Sequence, residues 1–212
     1  MACSLKNHLL SAGGLLLALF LGLTAPVRVA DAATLQVSGG QLTGATGVNI
    51  GGSFFDVEFL DGSCAGLFSG CNEASDFDFV TQPAAATAAQ ALLDQVFLDG
   101  ALGNFDSDPE LTRGCSIVEG CIVIIPYALA SPTLLNVEIS VNYDPAQAAD
   151  LIDTSLADPS AAFDTHDYPY YVYAQFSPSD VVVPVPAALP LFLSGIAGLG
   201  VIASRRRRRP EA

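Results

Sequence analysis

Basic side chains are almost missing from this chain. It has a single lysine, Lys6, and of its seven arginines only Arg113 falls between residues 33 and 180. That stretch holds 20 of the 22 acids, so its formal charge is about −19. A surface of this sign repels phosphate backbones, which need a basic footprint, and so excludes nucleic acid as a partner. Anionic lipid headgroups are disfavoured for the same reason. Solubility and attraction for cations are what it favours.

Catalytic signatures are scarce as well. The sequence contains no phosphate-binding glycine loop, dinucleotide fingerprint or H-E-x-x-H helix. It has no G-x-S-x-G elbow, and His166 is the one histidine after the leader. Four cysteines lie in the body: Cys64, Cys71, Cys115 and Cys121. Neither close pair has C-x-x-C spacing, which argues against zinc. An even number behind a secretory leader reads as disulfides formed in an oxidising compartment. Cys64–Cys71 and Cys115–Cys121 are the favoured pairs, because each closes a short loop containing glycine. Cross-pairing between the two halves is the alternative.

What the chain does have is apolar sequence at both ends. Lys6 precedes an apolar run over residues 9–23, and Ala30, Asp31 and Ala32 put small residues at both positions a signal peptidase reads. Residues 1–32 are therefore expected to be a signal peptide. At the other end residues 187–203 are uncharged, long enough as a helix for a short membrane span. Arg205, Arg206, Arg207, Arg208 and Arg209 follow, and would hold that end in the cytoplasm with the body outside.

Residues 33–180 are sufficient for one domain with a real core. Thr34 to Ser38 alternates as a first strand, and a glycine-rich turn region is expected over residues 39–52. Phe55, Val57 and Phe59 alternate with Asp56 and Glu58, the period of a half-buried strand, and Asp76 to Val80 repeats the pattern. Ala89, Leu92, Leu93 and Val96 form a helical stripe within residues 83–98, with Pro83 in the first turn. Residues 120–130 and 133–143 read as an antiparallel pair. Asp144 and Pro145 predict a short second helix to about Ile152. An aromatic strand over residues 168–176 should be an edge strand, because Pro169 lies near its start. The expected fold class is α+β: an antiparallel sheet of about five or six strands, one clear helix and one short helix, plus a C-terminal transmembrane helix.

Four oxygen-bearing residues fall at alternate positions, Asn104, Asp106, Asp108 and Glu110, as in a loop that presents several ligands to Ca²⁺. Such clusters also arise as simple turns. Arg113 is a possible counter-charge to them. Asp56 with Glu58 and Asp76 with Asp78 have the form of carboxylate pairs, yet alternation with phenylalanine explains them as solvent faces. His166, between Asp164 and Asp167, reads as an exposed loop residue rather than an oriented base. Tyr168, Tyr170, Tyr171 and Tyr173 form a dense aromatic patch suited to packing or to stacking on sugars.

The C-terminal order is proline motif, apolar helix and arginine cluster. It resembles the PEP-CTERM sorting domains of bacteria, and most closely the variant with a Val-Pro-Leu-Pro-Ala motif. Here the motif reads Val183, Pro184, Val185, Pro186, Ala187, so Val185 replaces the central residue of both versions. The resemblance implies recognition by an exosortase, cleavage near the motif after transient anchoring in the inner membrane, and delivery to the cell surface or extracellular matrix. It covers only the tail. The expected function is a non-enzymatic exported surface or matrix protein associated with exopolysaccharide and biofilm. Its partners would be signal peptidase, the exosortase, and polysaccharide or other envelope proteins. An exported glycan-acting hydrolase and a Ca²⁺-dependent adhesion module are the alternatives.

Overall fold

The computed structural model describes residues 33–160 and 163–180. The expected signal peptide, proline motif, span and arginine cluster lie outside the described residues. Among the described residues no helix is long and apolar enough to cross a membrane.

Chain order begins with a three-stranded antiparallel meander, β1 (Thr34–Ser38), β2 (Gln41–Ile50) and β3 (Ser53–Leu60). A short helix α1 (Cys64–Leu67) and the main helix α2 (Gln82–Gln95) come next. A two-stranded ribbon, β4 (Asp99–Gly100) with β5 (Gly103–Asn104), separates them from the second half. A second antiparallel meander then follows, β6 (Gly120–Ser131), β7 (Leu134–Tyr143) and β8 (Leu151–Ala157). The last strand, β9 (Tyr171–Pro178), inserts between the meanders, and the sheet of seven strands runs β1-β2-β3-β9-β6-β7-β8.

This insertion makes the sheet mixed, where a purely antiparallel one of five or six strands was expected. β9 is antiparallel to β3, with Leu60 opposite Tyr173, and parallel to β6, with Ile122 beside Tyr171. It is central rather than an edge. Val172, Tyr173, Ala174 and Phe176 are all buried, so the strand is covered on both faces. Pro169 lies two residues before the strand and costs the ladder no hydrogen bond.

Three further expectations are corrected. Residues 41–50 form β2, not a turn region. Gly44 belongs there because a Cβ would collide with the Val57 carbonyl oxygen. A bulge between Ala45 and Val48 leaves the Gly47 N–H to donate to Asp56 Oδ1 at 3.0 Å. Residues 76–80 are not a strand. Asp76 ends a 3₁₀ turn, Phe77 packs in the core of one sheet face and Phe79 in that of the other. Between them Asp78 accepts the Phe176 N–H at 2.8 Å, beyond the point where β6 and β9 cease to pair. Finally, the cap-like Asp144 and Pro145 start only a turn, and the chain continues into β8 instead of a second helix.

α2 matches its stripe closely. Ala85, Ala88, Ala89 and Leu92 are fully buried against the first face, and the small alanines permit a close approach to the sheet. Beneath it β7 presents the polar side of its alternation, Glu138, Ser140 and Asn142, all buried. Glu138 is 2% exposed, and its Oε2 accepts hydrogen bonds from Gln82 Nε2 and Thr154 Oγ1, each 3.1 Å away. Gln82 is the first residue of α2, and Thr81 before it supplies no side-chain cap. A carboxylate at this helix end is favourably placed in the dipole field. Among the described residues the second face is covered only in part, by the Cys64–Cys71 loop, whose Phe68 shares a core cluster with Phe77, Tyr173, Leu135 and Val137.

Candidate functional site

Both favoured disulfides are present. Cys64–Cys71 and Cys115–Cys121 have Cα separations of 5.9 and 5.7 Å. The first holds the covering loop over β9, and the second fixes the entry to β6.

The segment of Asn104, Asp106, Asp108 and Glu110 is organised around Asp99. Asp99 Oδ1 accepts the N–H groups of Asp106 and Ser107, each at 3.0 Å, and its Oδ2 accepts Ser107 Oγ at 2.6 Å. Those bonds hold the Asp99 carboxyl below its usual range, Ser107 contributing most. Asn104 Nδ2 reaches Asp108 Oδ2 at 3.4 Å. Burial, then the charges of Asp150 and Asp99, push Asp106 upward. Among the described residues no group of three or more His, Cys, Asp or Glu is arranged to hold a metal ion. The ion pair found for Arg113 is with Glu58, at 3.5 Å, with both side chains partly in solvent.

Three of the four paired carboxylates of the sequence are tied to the backbone, and the fourth is the Glu58 that meets Arg113. Asp56 holds the β2 bulge and Asp78 the β9 amide, while Asp76 Oδ2 accepts the N–H groups of Asn72 and Glu73. His166 is an exposed loop residue, its side chain 81% accessible. Its Nδ1 lies 3.3 Å from Asp61 Oδ2, while its flanking Asp164 accepts the His166 backbone N–H.

The four tyrosines separate. Tyr173 is fully buried, and burial, with Asp158 and Asp164 nearby, pushes its hydroxyl far up, so it stays protonated. Tyr168 and Tyr170 are exposed, and Tyr171 is half-buried. A tight turn joins them, Tyr171 N donating to Tyr168 O at 3.0 Å with Pro169 next in the turn. Phe163 completes the group: its ring is stacked on Tyr168 at 5.1 Å and meets Tyr171 edge-on at 5.9 Å.

These rings wall a groove of about 440 Å³ across the second face of β6, β7 and β8. Ile122, Ile124 and Ile139 contribute to its floor, and Ser155 and Asp158 line the β8 side. The volume is that of a small-ligand site. Asp158 is the only carboxylate among the described lining residues, and hydrogen bonds from the Ser160 backbone and side chain hold it below its usual range, ionised. A second hollow of about 490 Å³ lies at the β1–β3 end, with the polar groups Gln36, Asp56, Glu58 and Gln175 around it and no exposed aromatic. Sequence reasoning found the tyrosines but missed Phe163 and the floor. Phe163, isolated in a loop of Asp, Ser and Ala just ahead of the tyrosines, was the available signal.

The chain matches no protein-family model, no curated protein and no solved structure, so the functional reading rests on this geometry and on the sequence.

Proposed function

We propose that this chain is a non-enzymatic exported surface or matrix protein, sorted by an exosortase through its C-terminal tail, whose acidic domain contacts extracellular polysaccharide. The observation that carries the domain's part is the groove, in which an aromatic wall of three mutually packed rings stands beside an apolar floor. A paired-carboxylate hydrolysis needs two acids across a cleft, and the described lining residues offer Asp158 alone. Two disulfides suit a domain that works in an oxidising, exported setting. The sorting part is supported by the order of Val183, Pro184, Val185, Pro186 and Ala187, then the uncharged residues 187–203, then Arg205 to Arg209.

Mass spectrometry of the mature protein from its native cell tests the sorting. The expected product has lost the leader and everything beyond the proline motif. Replacing Pro184 and Pro186 by alanine should leave a longer, membrane-bound form. Unchanged processing of that variant overturns exosortase recognition.

A further inference from the structure

The geometry points to a specific ligand class for the groove: we infer that it binds a polysaccharide carrying free amino groups, a hexosamine polymer that is positively charged. This deepens the polysaccharide reading above and rests on it.

Shape comes first. The groove lies across the face of the sheet, so its floor is side chain, Ile122, Ile124 and Ile139, and the edge strand β8 forms only one side of it. An extended peptide gains affinity mainly by pairing with unpaired strand N–H and C=O groups at an edge, and the floor stands on β6 and β7, strands already paired on both sides. A pyranose is different. Its C–H face packs on an aromatic ring, and its rim carries hydroxyl and amino groups. Tyr168 provides such a ring, 43% exposed yet held by Phe163 and Tyr171, so it loses little freedom when a ligand stacks on it.

Charge then selects among sugars. Asp158 lies in the lining, and Asp153 shares the groove's face of β8, since it pairs opposite the floor residue Ile139. Asp164 caps the 3₁₀ turn that leads into Tyr168, and Asp167 is the last residue of that turn. No lysine or arginine is among these elements. Arg113, the one such residue among the described residues, is engaged with Glu58 on β3, on the other side of β9. Uronic or phosphorylated glycans are therefore repelled, neutral ones gain stacking alone, and amino sugars gain stacking and ion pairing together.

The test is calorimetric titration of the mature, disulfide-bonded protein with a β-1,4-linked glucosamine hexasaccharide, its fully N-acetylated counterpart, oligogalacturonate and hexalysine. The free-amine sugar should bind at least tenfold more tightly than the acetylated one, and oligogalacturonate should give no heat. Tyr168→Ala should weaken the free-amine sugar by tenfold or more, and Asp158→Asn by a smaller factor. Tyr170→Ala, an equally exposed tyrosine outside the lining at 42%, should leave binding unchanged. Hexalysine binding as tightly as the sugar, or Tyr168→Ala binding like wild type, would reduce the effect to bulk charge and overturn the inference. Equal binding of both hexasaccharides overturns the amino-group selection while leaving polysaccharide contact intact. No binding of any saccharide overturns both, and leaves the processing result above to stand or fall separately.

Discussion

The hydroxyl of Thr165 donates to Asp61 Oδ1 at 2.7 Å, across 104 residues of chain. Thr165 Oγ1 also accepts the Gly62 N–H at 2.9 Å, and the Thr165 N–H returns a bond to Gly62 O at 3.0 Å. One fully buried threonine thus ties the end of β3 to the turn that carries Tyr168. Thr165→Val keeps the volume and leaves the Gly62 N–H and Asp61 without that partner. A loss of about 1–3 kcal/mol in urea unfolding is expected. Thr165→Ser, which restores the hydroxyl, should recover most of it. A valine variant that unfolds at the wild-type midpoint would mean the network holds nothing.

Asp106 and Asp150 make part of the fold less stable as it ionises. Burial raises Asp150 against the opposing hydrogen bond from Tyr143 N–H, and Asp106 is raised by burial and then by the charges of Asp150 and Asp99. A raised carboxyl favours the folded state only while protonated. The contribution is complete below the ordinary value of 3.8 and disappears as pH climbs through the raised values. Asp150→Asn retains an oxygen for Tyr143 N–H and removes the charge that acts on Asp106. Its melting temperature should therefore exceed wild type at pH 7 and converge with it at pH 3. A variant less stable than wild type at neutral pH contradicts the assignment.

Each disulfide closes a small loop, with separations of 7 and 6 residues for Cys64–Cys71 and Cys115–Cys121. Chain-entropy reasoning puts each at about 2 kcal/mol. Replacing Cys115 and Cys121 together by serine should lower unfolding free energy by more than that, because both sulfurs are buried in the core of the first face and serine would bury unpaired hydroxyls there. The Cys64/Cys71 pair should show a comparable excess, because both of its sulfurs are buried in the core of the second face with Phe68 and Tyr173. A loss of about 2 kcal/mol or less in either double serine variant would show that burial of the sulfurs adds nothing to loop closure.

Legibility in the sequence followed physical locality. The strands β1, β3, β6 and β7 and the helix α2 were readable because period and side-chain type agreed within each segment. β2 was hidden by Gly44 and Gly47, which mark contacts made by neighbouring strands: the close Val57 carbonyl and the Asp56 carboxylate. The segment Asp76 to Val80 alternated like a strand, but its phenylalanines serve opposite faces of the sheet, and only tertiary structure decides that. β9 became central through topology, which no local signal specifies. For the site, Tyr168 and Tyr171 were visible as aromatics, whereas the floor from β6 and β7 depends on a face left uncovered by the Cys64–Cys71 loop.

Glu138 offers the sharpest check on the buried polar row beneath α2. Its carboxylate serves Gln82 and Thr154, and its charge adds to burial, the larger cause, in pushing the Tyr127 hydroxyl upward. Glu138→Gln keeps the reach and an acceptor oxygen, so it should cost about 1 kcal/mol or less. Glu138→Ala leaves Gln82 and Thr154 without their shared acceptor and opens a cavity, at about 2–4 kcal/mol. The two variants separate packing from charge, and Tyr127 reports the charge directly. A raised tyrosine stabilises the fold below its ordinary value of 10.0, and that stability is lost as pH rises through the raised one. In Glu138→Gln the Tyr127 hydroxyl should ionise at lower pH than in wild type, read as tyrosinate absorbance that is missing from the same titration of Tyr127→Phe. An unchanged Tyr127 titration would place the cause in burial alone and leave the Glu138 charge without effect on its neighbour.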